Sequence, residues 1–67
     1  MHDPSMSRLK ELIEHLAESN RTVLAYVPFK GYVWARVVSL EDDMVTLDPE
    51  KDNRVVMHYT QFSIKQD

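Results

Sequence analysis

Apolar residues recur at helical spacing near the start of the chain. Met6, Leu9, Leu12, Ile13 and Leu16 fall on one stripe, while Lys10, Glu11, Glu14 and Glu18 face away. Asp3-Pro4-Ser5 suits a helix start: Asp3 can cap free N–H groups, and the missing donor of Pro4 is harmless at the first helical position. Ser5 and Ser7 are alternative caps. Ser19-Asn20 favours a stop, because both residues prefer turns and caps to helix interiors. The spacing predicts a helix over about residues 5–18, with residues 1–4 flexible.

The pattern then changes to period two. Residues 22–27, 32–40, 44–47, 54–59 and 62–65 read as five short strands. Pro28-Phe29-Lys30-Gly31 is a turn in which Gly31 is free to take positive φ. Glu41-Asp42-Asp43 is a tight acidic turn, residues 48–53 form a polar loop, and Thr60-Gln61 is a brief connection. The second strand poses a problem. Val33, Ala35 and Val37 alternate as a half-buried strand should, yet Tyr32, Trp34, Val38 and Leu40 on the opposite parity are apolar too. Ala35 is small enough to let this long strand bend. The fold class expected is mainly β: an N-terminal helix followed by a five-stranded, strongly bent antiparallel open barrel. Residues 1–67 form one domain, with the helix capping an open end of the barrel.

Length sharpens the problem of the second apolar face. A chain of 67 residues buries only about 60% of its unfolded surface, and small domains usually need a staple. There is no cysteine, so disulfides and thiolate metal sites are excluded, and a reducing cytoplasm is the expected location. Association between copies and a good small core are the routes that remain. No transmembrane or secretory apolar segment is read, so no membrane partner is expected. The net charge of −3 argues against general electrostatic binding to nucleic acid, but leaves room for a local patch.

The residue order resembles the Sm-like family, including its bacterial Hfq-type RNA chaperones. Leu12 to Leu47 can be laid without gaps on the helix end and first three strands of Hfq-type sequences. Tyr26 falls on a first-strand tyrosine, and Ala35 on a small residue, normally glycine, in the bent second strand. Ser39-Leu40-Glu41 falls on the "S-F-D" that ends it. Met44 to Leu47 matches the apolar third strand, and Val56-Met57-His58-Tyr59 resembles the "Y-K-H" region. Four positions depart. The first-turn glycine falls on Lys30, the base-stacking aromatic on Asp43, the amide before it on Asp42, and the basic residue before the last strand on Met57 or His58. The resemblance implies a homo-oligomeric ring closed by strand 4 to strand 5 edge pairing, and single-stranded RNA as partner.

Two groups are candidate RNA-binding residues. Tyr26, Phe29, Lys30 and Tyr32 put aromatics beside a cation, suited to stacking bases and holding a phosphate; the alternative is a hairpin with exposed aromatics and some interface packing. His58 and Tyr59 can hydrogen-bond and stack; the alternative is an ordinary strand end with Tyr59 half-buried. Trp34 reads as core or interface. Glu41-Asp42-Asp43 reads as a solvated turn, and His2, His15 and His58 lack ligand spacing, so neither a metal nor another cofactor is expected. No nucleophile constellation or phosphate loop is present, so an enzyme is not expected. The function expected is an Sm-like RNA-binding ring with a chaperone-like role. The alternative is an SH3-like small barrel that binds protein.

Overall fold

The computed structural model describes residues 4–65. Helix α1 (Pro4–Ser19) is followed by strands β1 (Thr22–Val27), β2 (Gly31–Glu41), β3 (Met44–Pro49) and β4 (Val55–His58), and then by a 3₁₀ turn, Tyr59–Gln61. The strands form one antiparallel sheet in the order β1-β2-β3-β4. The helix starts at Pro4, within the stretch expected to be flexible; Asp3 and its capping role lie outside the described residues. At the other end, Asn20 takes φ 58° and its N–H bonds Leu16 O at 3.2 Å, a left-handed cap.

The helix buries a narrower stripe than its sequence pattern suggests. Ile13 and Leu16 are buried and Leu9 and Ala17 pack beside them, whereas Leu12 is 36% exposed. At 3.6 residues per turn, Leu12 lies roughly 90° from the centre of the stripe that Leu9, Ile13, Leu16 and Ala17 define. The side chain of Met6, expected on this stripe, lies outside the described residues. The buried helix residues meet Ala25, Val27, Ala35, Val37, Val45, Leu47 and Met57 from the sheet, and Tyr59 and Phe62 from the 3₁₀ turn.

A β-bulge accounts for part of the second apolar face of β2. Val37 pairs with Leu47, but Ser39 pairs with Thr46, so Val38 is the extra residue. Directly paired residues share a face, and one inserted residue inverts the parity. Before the bulge, Val33, Ala35 and Val37 face the core. After it, Leu40 does so, opposite the buried Val45. Tyr32 and Trp34 stay outside, on the face turned away from the helix. The irregularity thus falls at Val38, while Ala35 pairs regularly with both Val23 and Pro49.

The stretch expected to be a fifth strand, 62–65, pairs too briefly to form a ladder here. It makes one bridge, Ile64 with Ala25, flanked by Tyr26 N–H to Ser63 O (2.9 Å) and Lys65 N–H to Leu24 O (2.8 Å). The 3₁₀ turn uses the residues around Thr60 to carry Tyr59 and Phe62 into the core, which leaves three residues to run beside β1. The result is a four-stranded open sheet with the outer edge of β1 covered. The outer edge of β4 has no partner among the described residues. Tyr59 N–H bonds Asp43 O at 2.9 Å, so by antiparallel alternation the backbone groups of Val56 and His58 point to that open edge.

Candidate functional site

The first hairpin presents aromatic rings to solvent. Pro28 and Phe29 occupy the centre of a turn closed by Lys30 N–H to Val27 O at 3.0 Å. Phe29 has φ 71°, so the turn is type II with Phe29 at the position that asks for glycine or asparagine. Its side chain is fully exposed (106%) and therefore repays none of this backbone cost by burial. Such strain of order 1–3 kcal/mol is commonly found where a side chain is held for use. Gly31 also has positive φ, 81°, as expected at the end of this connection.

Tyr26 and Tyr32 stand opposite each other in the ladder, with centroids 5.6 Å apart and planes at 66°. This edge-to-face packing holds both rings upright on the sheet. The Tyr32 hydroxyl lies 3.4 Å from Ser63 Oγ, which links the pair to the closing segment. Two positions further along the same face, Trp34 stands 55% exposed opposite Leu24. From sequence, Trp34 is expected in the core or at an interface. Its parity, shared with Tyr32 and opposite to Val33 and Ala35, is the signal that places it outside.

Beside Trp34 lies a groove of about 240 Å³, lined by Val33, Trp34, Pro49, Glu50, Lys51 and Asp52. The hydrogen bond from Glu50 N–H to Trp34 O (3.0 Å) ties its two walls together. Three of the eight lysines and arginines are held in ion pairs among the described residues. Lys30 pairs with Asp52, and Arg36 pairs with Asp48 (3.5 Å) and donates to Asn20 Oδ1 (2.7 Å). Lys10 lies 2.8 Å from Asp43 and 4.8 Å from the Tyr59 ring centroid. The hydrogen bond between these two holds the Lys10 ammonium pKa above its ordinary value and the Asp43 carboxyl below its own.

The second sequence-predicted group is arranged differently from the first. Tyr59 is 6% exposed and belongs to the core, so its ring is not offered to a base. His58 stacks against it at 4.8 Å, and its Nδ1 accepts the Thr60 N–H at 3.2 Å, capping the 3₁₀ turn. These two residues sit at the β4 end, while Tyr26, Phe29, Lys30 and Tyr32 share the first hairpin. No group of residues suited to a metal ion occurs among the described residues, and no described helix is long and apolar enough to cross a membrane.

The strain at Phe29 yields a direct expectation. Phe29→Asn is expected to stabilise the fold by about 1 kcal/mol, raising Tm by about 4–8 °C in a circular-dichroism melt. An unchanged or lower Tm would mean that the ring does pack against something. No protein-family model, curated protein or solved structure matches this chain.

Proposed function

We propose that this chain is an Sm-like subunit that binds single-stranded RNA on the aromatic face of its first hairpin. In this reading, residues 62–65 act as a fifth strand and close a small open barrel. The open edge of β4 pairs with the outer side of that segment on a second copy, and repetition closes a ring in the cytoplasm. Ring closure removes unpaired edges without a large core. The observation that carries the reading is the set Tyr26, Phe29 and Tyr32: three exposed rings on one hairpin, one of them held in a strained turn. Rings of this kind stack on unpaired bases without a broad basic surface. Lys30 stands beside them, paired with Asp52 but exposed enough to offer a second N–H to a phosphate. The role that follows is chaperone-like, holding strands so that they pair or are spared from decay.

A second reading, a small barrel that binds protein, is favoured by the pairing of Lys30 and Arg36 with carboxylates and by the net charge of −3. Solution mass, together with filter binding of oligo-A and oligo-U at two salt concentrations, separates the two. A ring that binds either oligonucleotide supports the first. A monodisperse monomer at high concentration would remove the ring, and absence of RNA binding at low salt would leave the protein module.

A further inference from the structure

We infer that the groove between Trp34 and Pro49 is a second base subsite, taking a base that carries an exocyclic amine. The inference rests on the RNA reading above and adds a site next to the aromatic face. Trp34 follows Tyr32 by two positions, so the two side chains stand roughly 6.8 Å apart on one side of the sheet. That is about twice the 3.4 Å rise between bases within a duplex strand. Stacked neighbours cannot occupy both rings, whereas an unpaired strand with its bases splayed apart can.

The groove has the parts such a base needs. Trp34 offers a flat, half-exposed indole as one wall, and Val33 and Pro49 supply apolar surface. Two charged residues on the rim, Glu50 and Lys51, stand in no ion pair among the described residues, while Asp52 is held by Lys30. A carboxylate accepts hydrogen bonds and donates none, so Glu50 selects a base edge rich in N–H groups. Adenine, cytosine and guanine present an amine there. Uracil presents a single N–H between two carbonyl oxygens, which a carboxylate repels. Lys51 is placed to neutralise the phosphate of the nucleotide so held.

Trp34 is the sole tryptophan, so its emission reports on the groove directly. The test titrates the full chain with hexanucleotides of A, of C and of U. It follows Trp34 fluorescence together with the anisotropy of an end-labelled copy of each. The A and C hexamers are expected to quench the emission at about tenfold lower concentration than the U hexamer. Glu50→Ala, at an exposed position, is expected to bring the three within about twofold of one another. Equal quenching by all three would overturn the subsite. So would a preference that survives Glu50→Ala, or binding seen by anisotropy with the emission unmoved. In each of those cases the RNA reading itself stands. Absence of any anisotropy change would instead overturn the RNA reading and the subsite with it. Quenching by a proline-rich peptide and by no hexamer would assign the groove to a protein ligand.

Discussion

Leu47→Ala is expected to lower the unfolding free energy by about 2–5 kcal/mol, the range for removing a fully enclosed leucine. Leu47 is completely buried in the middle of β3, between Val37 on β2 and Val55 on β4. A cavity there touches three strands at once, and none of them can collapse into it without breaking its ladder. A domain of this size has a total stability of about 3–10 kcal/mol, so the variant should lose about half of it. Urea denaturation followed by circular dichroism measures the loss. Leu12→Ala serves as the comparison. Leu12 carries the same side chain but is 36% exposed, so its truncation should stay within about 0.5 kcal/mol of the parent. Equal losses at the two positions would contradict the placement of the helix stripe.

Tyr26→Ala is expected to weaken binding of an A-rich oligonucleotide by roughly 5- to 150-fold, the equivalent of about 1–3 kcal/mol for one base–aromatic stack. The residue sits in the regular part of β1 and is 38% exposed, so the fold should survive the change. Tyr26→Phe keeps the ring and its packing on Tyr32, and should bind within a few-fold of the parent. The salt dependence carries separate information. Lys30 and Arg36 are held by carboxylates and Lys51 alone is assigned a phosphate at the groove, so few counterions should be released and the slope of log K against log salt should be shallow. Fluorescence anisotropy at two or more salt concentrations checks both points. Unchanged affinity in Tyr26→Ala would remove the first-hairpin site. A steep salt slope would move the contact to phosphates and to cations elsewhere on the chain.

Much of the fold was legible because hydrophobic spacing is a local property. The period-3.6 stripe through Leu9, Ile13 and Leu16, and the alternation of Val33, Ala35 and Val37, locate the helix and the first hairpin without any tertiary knowledge. Two features were hidden for the same physical reason. The bulge at Val38 is a register shift between β2 and β3, and register belongs to a pair of strands rather than to either one. Likewise the stretch 62–65 has strand-like composition, but the 3₁₀ turn before it decides how many residues reach β1. The candidate site was legible in part. Tyr26, Phe29, Lys30 and Tyr32 are neighbours across one turn, so proximity in sequence carried over into space. Tyr59 could not be separated from an exposed strand end by its local pattern, because its burial depends on the turn that follows it and on Lys10 above its ring.

The pairing on either side of Val38 has a consequence for chain length. Val37 with Leu47, Ser39 with Thr46 and Leu40 with Val45 would form an unbroken ladder if Val38 were absent. This is therefore a place in β2 where evolution could delete a codon without forcing any neighbouring pair to slip. What such a deletion would flatten is the curvature that lets the sheet wrap around Ile13 and Leu16.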